Sequence, residues 1–223
     1  MIEISSDGKQ INYLDQKLNE EDALLLTNKI RQQVMSYPGK LHTLDLSCVK
    51  SMEVNAARIL AGLSDIEEDA VYPDLVDTIS FGLEYLSEEI ANALAQFPSR
   101  WLRFDRVTSL PDAIAKQFIR SHHCLTFNSC TNFSPVALSA ISRCASGYRL
   151  ELGLRNINVQ QAKVLARYSG ELQLVEDDEL QEEVLRELWG AESLLSGFIW
   201  RHFGMTEFPV DEYENRSHHR LDI

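Results

Sequence analysis

This 223-residue chain has few of the residue patterns that build chemical sites. Its ten glycines never cluster, so no glycine-rich loop is available to cradle a phosphate. The four cysteines, Cys48, Cys124, Cys130 and Cys144, lack the paired spacing of a zinc or redox site. His122-His123 adjoin Cys124, but neighbours on a strand point to opposite faces, so the three do not chelate together. Neither H-E-x-x-H nor G-x-S-x-G occurs. No apolar run approaches a membrane span, and Met1-Ile2-Glu3-Ile4-Ser5 has neither a basic nor an apolar leader region. The expectation is a cytoplasmic protein with no cofactor, no metal site, no catalytic residues and no membrane contact.

Positive charge is also scarce. Lysine and arginine number 21 against 34 aspartates and glutamates, a formal net charge of −13. Nucleic acid demands a basic face and is excluded as a partner. A basic protein partner, steered in by the opposite charge, fits better.

What the chain does have is repetition. An apolar residue, an apolar or small residue four later, an alanine-like residue next and an apolar residue at the eighth step recur seven times. The copies read Leu18-Asp22-Ala23-Leu26, Met52-Ala56-Ala57-Leu60, Leu86-Ile90-Ala91-Leu94 and Leu110-Ile114-Ala115-Phe118. They continue as Phe133-Ala137-Leu138-Ile141, Ile157-Gln161-Ala162-Leu165 and Leu180-Val184-Leu185-Leu188. Asp22 and Gln161 break the apolar pattern and mark the first and sixth copies as degenerate.

Upstream of each block lies an apolar-x-apolar triplet, the alternation of a half-buried strand. The triplets begin at Ile11, Leu44, Ile79, Leu102, Leu125, Leu150 and Leu172. Helix starts are signalled at Asn19, Ser87, Ser134 and Asn158 by N-cap side chains, at Pro135 by proline in the first helical position, and by first-turn glutamates. The first two units are longer than the rest. Thr27 to Lys40 continues an apolar stripe as a lengthened helix, whereas 64–77 is an acidic insert containing Tyr72-Pro73.

Self-similarity at this period is the mark of a stacked-repeat architecture. The unit resembles the leucine-rich repeat family in its irregular bacterial form, L-x-L, a linker, then L-S-x-E-x-A-x-x-L. Leu86-Ser87-Glu88-Glu89-Ile90-Ala91-Asn92-Ala93-Leu94 is the closest copy. The family's asparagine or cysteine ladder is matched at Cys130, while Val49, Val107 and Asp177 stand at the equivalent places. The resemblance implies an α/β, leucine-rich-repeat-like solenoid of about seven strand–helix units over residues 1–188, with a parallel sheet. Residues 189–223, rich in Trp189, Phe198, Trp200, Phe203 and Phe208, are expected to form a helical and aromatic C-terminal cap with a loose polar tail. Residues 1–10 would close the other end.

On a parallel sheet the middle residue of each triplet points outward. Asp45, Ser80, Arg103, Thr126, Glu151 and Gln173 then form one row, with Trp101, Asp105 and Arg149 flanking it. Tryptophan and arginine dominate interface energetics, so Trp101, Arg103, Asp105, Arg149, Glu151 and Asp45 are the expected partner-binding residues. A convergence of Asp45, Glu151 and His42 into a catalytic group is disfavoured. The function implied is non-enzymatic protein binding on the strand face, of the kind an inhibitor or immunity protein uses against a basic toxin or nuclease. The alternative is an adaptor or self-assembling scaffold that docks through the apolar C-terminal segment.

Overall fold

The computed structural model describes residues 1–36, 41–62, 76–97, 99–120, 124–144, 149–168, 170–174 and 182–189. Most of the acidic insert, the C-terminal segment beyond Trp189, His122-His123, Pro38-Gly39 and Asp177 lie outside them. Strands and helices alternate in chain order. They run β1 (Ile2–Ile4), β2 (Gln10–Tyr13), β3 (Lys17–Leu18), α1 (Glu20–Ser36), β4 (Leu41–Leu46), β5 (Ser51–Met52) and α2 (Val54–Ala61). Then come β6 (Val76–Phe81), α3 (Glu88–Leu94), β7 (Ser99–Arg103), α4 (Asp112–Gln117) and β8 (Cys124–Phe127). The series closes with α5 (Pro135–Cys144), β9 (Arg149–Leu152), α6 (Val159–Leu165), β10 (Glu171–Leu174) and α7 (Glu182–Trp189).

The main sheet has the order β1-β2-β4-β6-β7-β8-β9-β10, so each strand pairs with the next in sequence. All pairs are parallel except β1 with β2, where residues 2–4 run back along the first edge. The register matches the triplets residue for residue. Ile11, Leu44, Ile79, Leu102, Leu125, Leu150 and Leu172 lie side by side, and so do the middle residues from Asn12 to Gln173. A second ribbon, β3 with β5, ties the first two strand-to-helix connections together. The molecule is thus α/β with a largely parallel sheet.

The core explains the recurring alanine. Ala23, Ala57, Ala91, Ala115 and Ala162 are all fully buried, as are Leu26, Leu60, Leu94, Phe118, Ile141 and Leu165 one helical turn on. A small side chain at that step lets each helix sit close over its strand, and close packing penalises both a larger group and a void. Several helices have only six to eight residues, too short to persist alone in water, so their stability comes from this apolar face. Consecutive helices pack on one another from α1 to α7.

The caps form at each foreseen place. Asn19 Oδ1 accepts the Asp22 N–H at 2.8 Å, Ser87 Oγ the Ile90 N–H at 3.2 Å and Ser134 Oγ the Ala137 N–H at 2.9 Å. Asn158 and Gln161 exchange bonds as a full capping box. The two degenerate copies have physical reasons. Buried Gln161 also donates to the Phe133 carbonyl at 2.7 Å, and Asp22 lies near the buried Tyr13, whose hydroxyl donates to the Lys17 carbonyl at 3.0 Å.

The structure corrects several boundaries. Val76 and Asp77, assigned to the acidic insert, belong to β6. Phe104 lies one residue past β7, although its N–H still donates to the Thr126 carbonyl at 2.8 Å. Cys124 and Cys130 are buried, whereas Cys48 is exposed.

Valine at the ladder positions also has a reason. The N–H groups of Val49, Val107 and Cys130 donate to Leu46, Phe104 and Phe127 carbonyls at 3.0, 3.3 and 3.3 Å. Gly82 and Gly153 donate laterally to Leu46 and Phe127 carbonyls, both at 3.0 Å. The main chain satisfies itself in these turns, which leaves the side chain free to be apolar. Where the triplets end, Phe81, Phe104 and Phe127 form a stacked row with centroids 5.1 and 5.2 Å apart.

Candidate functional site

Helices cover one face of the sheet with apolar packing, and the row of middle residues lies on the other. Asn12, Asp45, Ser80 and Arg103 are half-buried and Gln173 is exposed. Thr126 and Glu151 depart from this trend, being buried although they point outward. Trp101 and Arg149 account for the difference.

Register places Trp101 beside Cys124 on β8, and β8 pairs in turn with β9, where Glu151 lies beside Thr126. The half-buried Trp101 leans over β8, and its indole Nε1–H donates to Thr126 Oγ1 at 2.7 Å. Thr126 passes its own hydroxyl proton to Glu151 Oε2 at 3.1 Å. Arg149 Nη2 lies 2.9 Å from Glu151 Oε1, Nη1 lies 3.0 Å from Glu171 Oε1, and Nη2 also donates to the Gln173 side-chain oxygen. The Arg149 guanidinium carbon is 5.3 Å from the Trp101 ring centre, and that of Arg103 is 5.9 Å away. Each cation–π contact at a partly exposed site is worth on the order of 0.5–1 kcal/mol. With the hydrogen bond to Thr126, they hold the indole in one place.

A second small network supports Arg103. Its Nε lies 3.2 Å from Asp105 Oδ2, Asn128 Nδ2 donates to Asp105 Oδ1 at 3.0 Å, and Ser129 Oγ donates to the Asp105 carbonyl at 2.5 Å. Five of the six residues expected to bind a partner therefore come together: Trp101, Arg103, Asp105, Arg149 and Glu151. Asp45 stands apart. Its strand is two removed from β7 and four from β9, about 19 Å at ordinary strand spacing, and its Oδ1 accepts the Ser47 N–H at 2.8 Å. The same separation keeps Asp45 from converging with Glu151, while His42 pairs instead with Asp77 at 3.0 Å.

The charged members of the cluster are paired with one another. Arg103 and Arg149 are neutralised within the site, and Glu151 is buried. Thr126 is the residue that sequence reasoning passed over. Its signal was the spacing of the copies, which sets Trp101 diagonally across from it on the next strand.

Acidity collects elsewhere, where strands lead into helices. Glu20, Glu21, Asp22, Glu53, Glu88, Glu89 and Asp112 occupy caps and first turns of α1 to α4. A hydrogen bond from Lys17 holds the Glu53 carboxyl below the ordinary range, and bonds from its own N–H and from Ser87 do the same for Glu89. Among the described residues no three His, Cys, Asp or Glu side chains are grouped to hold a metal ion, and no helix is long and apolar enough to cross a membrane. Comparison with protein-family models, with curated proteins and with solved structures finds no match for this chain.

Proposed function

We propose that the chain is a non-enzymatic binding protein, a leucine-rich-repeat-like solenoid of about seven units that holds a protein partner on its strand face. The observation that carries this reading is the placement of Trp101, half-buried on the outward face and anchored by Thr126 between the reach of two arginines. Tryptophan and arginine held in fixed rotamers bind with little ordering cost, which is how few residues come to dominate an interface.

Charge divides the work. The two arginines of the Trp101 patch are matched by three carboxylates, so the patch supplies contact rather than attraction. The acidic rim and the net charge of −13 draw a basic protein toward the face over longer range. An inhibitor or immunity protein directed at a basic toxin or nuclease has these properties. Trp101, Arg103 and Arg149 are the contact residues in this reading, with Asp105 and Glu151 supporting them and Asp45 on the flank.

A screen of the full-length chain against a displayed peptide library, read by biolayer interferometry, tests the assignment. Binders to this face weaken by about tenfold or more on Trp101→Ala and on Arg103→Ala, the range of interface hot spots. A screen whose binders are all indifferent to both substitutions rejects the face.

A further inference from the structure

We infer that Thr126 is a positioning residue for recognition: with Glu151 and Arg149 it holds the Trp101 indole in its binding pose before any partner arrives. The inference rests on the strand-face reading proposed above and adds to it the residue that sets the pose.

The outward face of a solvated sheet has no need of buried polar side chains, yet Thr126 is fully buried there and Glu151 nearly so. Burying such groups is unfavourable unless each finds a partner. Here the partners form one directional chain over three strands. The indole N–H donates to the Thr126 hydroxyl, that hydroxyl donates to Glu151, and Arg149 grips Glu151 while lying against the indole ring. The threonine oxygen is the only atom of Thr126 that touches both Trp101 and Glu151 through hydrogen bonds. Thr126 is β-branched, and such a side chain has few χ1 choices on a strand, so its hydroxyl direction is restricted. The loop closes because Arg149 is held from its far side by Glu171. Without the hydroxyl, Trp101 keeps its cation–π neighbours but loses the hydrogen bond at the ring edge. Arginine carbons 5.3 and 5.9 Å from the ring centre permit rotation about the Cβ–Cγ bond, whereas a 2.7 Å hydrogen bond does not.

The decisive variant is Thr126→Val, which keeps shape and removes the hydroxyl, with Thr126→Ser restoring it. Two readouts on the full chain are needed. In ¹H–¹⁵N spectra the Trp101 indole signal, identified by its loss in Trp101→Phe, shifts in Thr126→Val and its exchange with water speeds by about tenfold, while Thr126→Ser keeps the wild-type signal. A displayed peptide selected on the wild-type chain, and retained because Trp101→Ala abolishes its binding, binds Thr126→Val about tenfold more weakly and Thr126→Ser within about twofold of wild type. Equal affinity for wild type and Thr126→Val overturns the positioning role and leaves the strand face standing. An unmoved indole signal overturns it as well. A library that yields no Trp101-dependent binder removes the strand-face reading and this inference with it. Should Thr126→Val fail to fold, Thr126→Ala takes its place. That variant also removes the hydroxyl that holds the indole N–H, and unchanged affinity and indole signal there overturn the inference equally.

Discussion

Gln161 donates its side-chain amide to the main-chain carbonyl of Phe133 at 2.7 Å, joining the start of α6 to the segment that leads into α5. The same side chain accepts the Asn158 N–H at 2.9 Å, so one polar residue inside the core closes a cap and ties two neighbouring copies.

Replacing it tests that bridge. Gln161→Leu restores the apolar pattern of the other copies yet leaves a buried carbonyl and a cap N–H without partners. A loss of about 1–3 kcal/mol is expected, the cost of orphaned buried groups. Urea denaturation measures it. A variant as stable as wild type shows that the two bonds contribute nothing net.

Gly153 is required by proximity. A Cβ placed there would lie 1.8 Å from the Asn128 carbonyl oxygen, and at Gly82 the same atom would lie 2.0 Å from the Ser47 oxygen. Both contacts are with main chain, so neighbouring turns must separate to admit a methyl group. Gly153→Ala and Gly82→Ala each lower stability by about 1–3 kcal/mol or more, as overpacking does. Thermal denaturation followed by circular dichroism reads the effect, and an unchanged midpoint refutes the close approach.

Phe104 is the hub of the aromatic row, stacked on Phe81 and Phe127 and edge-on to Phe118 at 5.5 Å. Truncation to alanine removes contacts to three rings and opens a void between the sheet and the end of α4. The expected loss is about 3–5 kcal/mol. Phe104→Leu, nearer in volume, costs less. Equal losses for the two variants would show that packing volume is not what Phe104 supplies.

Tyr13 gives the fold a dependence on high pH. Burial, then the hydrogen bond and charge of Asp22, push its hydroxyl well above the ordinary value near 10. The neutral form is favoured in the folded state, so its contribution is complete below about pH 10 and declines as pH rises beyond the unfolded value. Chemical denaturation midpoints measured between neutral pH and about pH 11 fall in the wild type above about 10, and the fall is shallower in Tyr13→Phe. Parallel declines in the two proteins would exclude Tyr13 as a source.

The register of the sheet was legible because the triplets and blocks obey two simple periods, and both continue through copies that lack part of the apolar pattern. Caps at Asn19, Ser87, Ser134 and Asn158 were legible for a similar reason, since an N-cap is satisfied by atoms three residues away. The polar networks were harder to foresee. That Thr126 would be buried depends on how far Trp101 reaches over the neighbouring strand, which no local pattern encodes. The same is true of the ion pairs of Arg103 and Arg149, whose carboxylate partners are set by neighbouring strands and turns. Asp45 was grouped with them because it shares their row, but a row this long spreads its members too widely to act at one point.

Because every strand of the main sheet pairs with the strand nearest in the chain, damage and repair are both local. A lesion in β4 perturbs β2 and β6 directly and reaches β9 only through every strand between. Partial opening from the β1 end is therefore a natural excursion of this molecule. The antiparallel β1 acts as a latch at one end, hydrogen-bonded from Ile2 to Ile4 along the strand it covers. Release of those three residues would bare the edge of β2 while the Trp101 cluster, four strands inward, stayed whole.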